Sequence, residues 1–321
     1  MSMPWPAGSV KPVRPQIDGG ARPPLLLSSS TFLQFHLLAR GTPMCTPLRL
    51  WALVGIVAAS LAGCADDDGG STVVGPGLEP GSGRIFTLKE VTFPSSDGVP
   101  VSASYAPAGA TPARPVVILV HDLTGTRDSW LQGTSLFVDL LERGYLVVAV
   151  DLRGYGGTPL PEGRQVPLLE DLENSYLDVE AALSWLEGQP EADIERVAVV
   201  GDGSGGNVAY VSMGVFRQQI RTAVTVSAGL WERQTLRPVV VGARLDPFDP
   251  RSMLFMAGGQ DVLSGDGVTL SYADFARALA ASTDEPKSVL IFEDSADHGL
   301  DLLNNVPEAA DSLLLWLEER L

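Results

Sequence analysis

From residue 115 onward, short unbroken apolar runs alternate with helix-length segments, and this alternation leaves the chain few architectures. Pro115-Val116-Val117-Ile118-Leu119-Val120 and Tyr145–Val150 contain no polar interruption. Such runs have no face suited to water, so they read as strands buried on both sides, the habit of parallel sheets. Further strands are expected at Arg196–Val200, Ala223–Val226, Ser252–Met256 and Ser288–Phe292. Between them, helices are expected at Ser129–Arg143, Leu169–Glu187, Gly206–Arg217, Tyr272–Ala281 and Pro307–Leu321. The second of these places Leu172, Tyr176, Val179, Leu183 and Leu186 on one face, and the last has proline at a favourable first position. Upstream, Arg84–Phe93 and Val99–Tyr105 carry alternating β-formers around Ser95-Ser96-Asp97-Gly98, which predicts a β-hairpin. The fold class is therefore α/β, a mainly parallel sheet with helices on both faces and an N-terminal β-hairpin. Only about 25 residues lie between the strand ending at Val226 and the one starting at Ser252. That length leaves little or no cap domain, and the cleft is expected to be open.

The chain before residue 84 has a different character. Residues 1–43 are rich in proline and glycine and keep no period of either kind, so they read as disordered or as a gene-start artefact with Met44 as the true start. Residues 44–63 combine Arg49, an apolar run from Leu50 to Ala59, and the small-residue ending Leu61-Ala62-Gly63 before Cys64. That pattern reads as a signal peptide, because the run is shorter than the roughly 18 apolar residues of a membrane span. Residues 64–83 are dominated by Gly, Asp, Pro and Ser and read as a flexible linker. The folded domain is expected at 84–321.

Charge and reactive-residue counts exclude several functions. Asp plus Glu number 39 against 22 Lys plus Arg, giving a formal charge of −17 with no basic stripe. Nucleic-acid binding needs clustered Lys and Arg, so it is not expected. Two cysteines, Cys45 and Cys64, and three histidines, His36, His121 and His298, suit neither a disulfide framework nor a metal cluster. No cofactor is implied, and the oligomeric state is left open.

Four segments fall at the C-terminal ends of expected strands, the edge where open parallel sheets bind ligands. They are His121-Asp122-Leu123-Thr124-Gly125, Asp151-Leu152-Arg153-Gly154-Tyr155-Gly156-Gly157-Thr158, Gly201-Asp202-Gly203-Ser204-Gly205-Gly206-Asn207 and Asp297-His298-Gly299. On these segments the domain resembles the α/β-hydrolase superfamily, most closely its dienelactone-hydrolase-like and serine-aminopeptidase-like branches. The resemblance implies an α/β-hydrolase fold and a nucleophile–acid–histidine order along the chain. It assigns the acid to Asp261, with Asp266 and Asp297 as competitors, and the base to His298. It implies backbone oxyanion donors at Leu123 and Ser204, and substrates such as a small ester, a lactone or the end of a short peptide. In the same way Leu61-Ala62-Gly63-Cys64 resembles the lipobox of bacterial lipoproteins. That likeness implies lipidation at Cys64 and a membrane-anchored protein outside the cytoplasm, at the periplasmic face or the cell surface. Cleavage there would remove Lys11, Arg14, Arg22, Arg40, Arg49 and Asp18, shifting the formal charge by four to −21.

The chain departs from the family pattern at the elbow. In Gly-x-Ser-x-Gly-Gly the nucleophile stands two places after the first glycine, and here that place is Gly203. Ser204 is one place late and acts as nucleophile only if the turn shifts. His121 is followed by Asp122 where the family has glycine, and a carboxylate there opposes the negative charge of acyl transfer. Two functions follow: a hydrolase using Ser204, Asp261 and His298, or a catalytically silent hydrolase-fold binding protein. If Gly203 holds the nucleophile position, Gly203→Ser is expected to restore ester hydrolysis. A third reading takes Gly201–Gly206 as a Gly-x-Gly-x-x-Gly dinucleotide fingerprint, but the acid it wants about 20 residues on is missing from Thr225–Gly229.

Overall fold

The computed structural model describes residues 71–73, 86–107, 112–230, 238–265 and 268–321, all within one compact unit, Ala65–Leu321. The readings of residues 1–43, of the signal peptide at 44–63, of Cys64 and of Asp266 lie outside the described residues.

The chain enters through β1 (Ser71–Val73), β2 (Phe86–Pro94), β3 (Pro100–Tyr105) and β4 (Arg114–Val120), then α1 (Asp128–Gln132), α2 (Leu136–Glu142) and β5 (Leu146–Val150). It continues through α3 (Leu169–Glu173), α4 (Tyr176–Leu186), β6 (Ala192–Asp202), α5 (Ser204–Val215), β7 (Thr222–Val226) and α6 (Pro238–Gly242). It closes with β8 (Arg251–Gly258), β9 (Val262–Gly265), β10 (Val268–Ser271), α7 (Tyr272–Ala281), β11 (Asp284–Phe292), α8 (Leu300–Asn305) and α9 (Pro307–Glu318). The sheet order is β1-β2-β3-β5-β4-β6-β7-β8-β11. The pairs among β1, β2, β3 and β5 are antiparallel, and every pair from β5 to β11 is parallel.

The unbroken apolar strands are buried on both faces, as their composition requires. In β4, Val116, Ile118 and Val120 join the core under α4, α5 and α7, whereas Val117 and Leu119 join the core under α1, α2, α8 and α9. Helix α5 is buried from Ser204 to Gly214. It runs from the tip of β6, in the middle of the sheet, so whatever sits at its start is held from all sides.

Several local expectations are corrected. The helix expected at Ser129–Arg143 is two helices, because Gly133 closes α1 and the Thr134 hydroxyl accepts the Leu136 N–H. The one expected at Leu169–Glu187 breaks at Asn174 and Ser175, where i→i+3 bonds replace the helical ladder. The segment read as linker contributes β1, with Ser71–Val73 paired to Leu88–Phe86. The ribbon β9–β10 was not expected, although Asp266-Gly267 between β-formers is a hairpin signal. Between β7 and β8 the described residues hold α6 as their only helix, in keeping with the absence of a large lid. Among the described residues no helix is long and apolar enough to cross a membrane.

Candidate functional site

Strands β4, β6, β7 and β8 end at one edge, and their exit loops line a cavity of about 750 Å³. Asp122, Leu123 and Thr124 come from the loop after β4, Gly203, Ser204 and Asn207 from the start of α5, and Ser227 and Gly229 from the end of β7. Asp261, Val262, Leu263 and Tyr272 follow β8, and Ala296 and His298 follow β11.

The sharp turn from β6 into α5 places Gly203 at φ 53° and ψ −118°. This is the left-handed half of backbone space, where a side chain costs about 1–3 kcal/mol. Gly203 therefore occupies the elbow tip, and Ser204 is already the first residue of α5. The room beside the tip is filled. A β-carbon added to Gly203 would lie 2.5 Å from Asp122 Oδ1 and 2.8 Å from its Cγ.

The Asp122 carboxylate is thus folded into the space a nucleophile's side chain would take. The Ser204 N–H donates to Asp122 Oδ1 at 2.8 Å, and the Thr124 N–H and hydroxyl donate to Oδ2 at 3.1 and 2.7 Å. Burial pushes its pKa up, but the bonds from Ser204 and Thr124 outweigh that and hold the carboxyl below its usual range. The two departures seen in the sequence, aspartate for glycine and glycine for serine, are therefore one arrangement in space. A serine side chain at 203 therefore requires the Asp122 side chain to move, a requirement that the sequence did not show. Of the two expected oxyanion donors, Leu123 lines the cavity and Ser204 spends its N–H on Asp122.

Asp261 and His298 come together. His298 donates from Nδ1 to Asp261 Oδ2 at 2.9 Å, and Asp261 is 4% exposed. Burial lowers the histidine pKa, but the bond to Asp261 and the charges of Asp261, Asp202 and Asp122 carry it above its ordinary value. Asp297 is not part of this pair. It is held by the Ser295 hydroxyl at 2.7 Å and the Asn305 amide at 2.8 Å.

Two residues that sequence reasoning missed complete the pair. Ser227, with φ 52°, donates its hydroxyl to Asp261 Oδ2 at 2.9 Å and accepts the Gly299 N–H at 3.0 Å. The Tyr272 ring packs edge-on to His298 with centroids 4.4 Å apart, and its N–H donates to the Asp261 carbonyl. Burial, with the Asp261 and Asp122 charges, pushes the Tyr272 hydroxyl up to about 12. No motif marked either residue, because each is defined only by its neighbour across the sheet edge.

The remaining motif residues are framework. His121 is fully buried, accepts the Leu152 N–H at Nε2 (3.0 Å) and donates from Nδ1 to the Asp122 carbonyl (2.6 Å). These two bonds fix the neutral tautomer, and burial keeps its pKa low. Asp151 accepts the N–H groups of Arg127 and Gly157 and an Arg127 guanidinium N–H. Arg153, 1% exposed, pairs with Asp178 at 2.8 Å and with Asp97 at 2.6 Å. The glycine pattern at Gly201–Gly206 has a packing cause. A β-carbon on Gly205 would collide with the Val120 and His121 carbonyls, so the glycine is needed for helix-to-strand contact without any phosphate.

The alpha/beta hydrolase family model matches residues 117–320. Two uncharacterized proteins of Mycobacterium tuberculosis are 32% identical over 121 residues, 38% of this chain. The chain spans 39% of the length of these curated relatives. Among solved structures, the Pyrococcus furiosus esterase Pf2001 superposes with a TM-score of 0.55 at 19% identity, covering 73% of this chain and 93% of that one. An acetyl xylan esterase from Paenibacillus sp. R4 gives 0.55 at 16% identity, covering 78% and 88%. At these identities the likeness is one of fold.

Proposed function

This chain belongs to the alpha/beta hydrolase family, and from that premise we propose that it is a small-molecule-binding member without serine acyl-transfer chemistry. The observation that carries the reading is the Asp122 carboxylate packed over Gly203 and bonded to the Ser204 N–H. Acyl transfer needs an oxygen nucleophile at the tip and free donors for the oxyanion. Here the tip has no oxygen and one donor faces a fixed negative charge.

The hydrolase reading, in which Ser204 serves with Asp261 and His298 on a small ester, lactone or peptide end, is the competitor. Ser204 begins a helix, and its own hydrogen bonds run to Asp122, whose lowered pKa makes it a poor base.

One assay separates the two. Wild type should hydrolyse short-chain p-nitrophenyl esters at background rate, and Gly203→Ser alone should gain little. The double variant Asp122→Gly with Gly203→Ser clears the space and adds the oxygen. It should raise the rate by at least ~100-fold and lose the gain with His298→Ala, given that losing a serine nucleophile costs about a millionfold. Wild-type turnover abolished by Ser204→Ala would overturn the reading.

The location is part of the same proposal. The Leu61-Ala62-Gly63-Cys64 motif supports a lipid-anchored protein outside the cytoplasm, held by several acyl chains. When the full chain is expressed, Cys64→Ser should move it from the membrane to the soluble fraction. Equal partitioning of the two would refute the anchor.

A further inference from the structure

We infer that the cavity takes a ligand bearing a protonated amine, with Asp122 as its counter-ion; this rests on the binding-protein reading above. Among the described residues, no arginine or lysine pairs the Asp122 carboxylate in this cavity. The Asp122 carboxylate accepts from the neutral Ser204 N–H and the Thr124 N–H and hydroxyl, and among the described residues that line the cavity His298 is the one base. His298 already has Asp261 as its partner, at 2.9 Å. The amide that would welcome an anion, the Ser204 N–H, is occupied.

The walls suit the same charge. Tyr155 and Tyr272 line the same cavity as Asp122. Aromatic faces attract ammonium groups, and a carboxylate accepts their N–H bonds at about twice the strength of a neutral pair. Val262 and Leu263 give the cavity an apolar side for the rest of the molecule. A carboxylate or phosphate ligand would instead meet the Asp122 charge, with His298 already paired to Asp261.

The probes are n-butylammonium, n-butanol and butyrate, alike in their carbon chain and different in charge. They are titrated into the full-length protein at pH 7 and low salt by calorimetry. Butylammonium should bind at least about tenfold more tightly than either of the others. Asp122→Asn keeps the acceptor for the Ser204 N–H and should weaken the amine by roughly tenfold while leaving butanol unchanged. Tyr155→Leu, which leaves Asp122 and its donors in place, should also weaken the amine selectively and serves if the first variant does not fold. Equal or tighter binding of butanol or butyrate, amine binding indifferent to both variants, or no saturable amine binding overturns the inference. Those results leave the binding-protein reading standing, because that reading fails only on Ser204-dependent ester hydrolysis.

Discussion

At the residue scale, Asp202 has an unusual position. It precedes the elbow tip, is 7% exposed, and its Oδ1 has no partner among the described residues. Burial, with the charges of Asp122 and Asp301, pushes its pKa up to about 7, against the opposing pull of His298 and the Leu300 N–H. An unfolded aspartate titrates near ~4. Between those values the native state holds more protons than the unfolded one, so stability falls as pH rises from about 4 to about 7. His298 bends the curve the same way. Its raised pKa gives stability that is complete below the ordinary histidine value of about 6.5 and is lost as pH climbs through the folded value. Urea unfolding at pH 4.5, 6 and 8 should show Asp202→Asn gaining on wild type by on the order of 1–3 kcal/mol across that range. His298→Gln should flatten only the upper part. A difference independent of pH would remove Asp202 from this role.

At the element scale, the ribbon β9–β10 is an addition to the fold with no place in the main sheet; its strands pair with each other. Val262 and Val268 are about half exposed on it, at 48% and 55%, and Val262 also lines the cavity. Val262→Lys should therefore change stability by no more than about 0.5 kcal/mol, as a surface substitution does. It should weaken butylammonium several-fold by bringing a cation to the cavity mouth, and a thermal melt beside the calorimetric titration checks both. The same element marks where the sequence was legible and where it was not. Doubly buried strands such as β4 and β5 announce themselves, because burial on both faces allows one kind of residue only. The elbow glycine and the Asp261–His298 pair were legible through the resemblance to the α/β-hydrolase pattern, whose chain order of nucleophile, acid and histidine they follow. The direction in which Asp122 points was not. A surface-facing and an inward-facing aspartate have the same neighbours in sequence, and only the empty place beside Gly203 decides between them. Ser227 and Tyr272 were hidden for a like reason, since the side chains they serve, Asp261 and His298, lie 34 and 26 residues further along the chain.

At the scale of the whole molecule, Arg153 joins parts that the sheet alone would leave independent. It reaches Asp97 in the turn of the N-terminal hairpin and Asp178 in α4, from the loop after β5. Asp178 is fully buried, so Arg153→Ala would leave a carboxylate without its cation. The expected loss is about 3–5 kcal/mol, read from urea unfolding, and Asp178→Asn on top of it should recover part of the loss. The packing of Asp122 over Gly203 also bears on substitution at either position. A serine placed at 203 meets the Asp122 carboxylate, and a glycine placed at 122 takes away the acceptor of the Ser204 N–H. A side chain at 203 and the Asp122 carboxylate therefore claim one space, and the two positions constrain each other as a pair rather than singly.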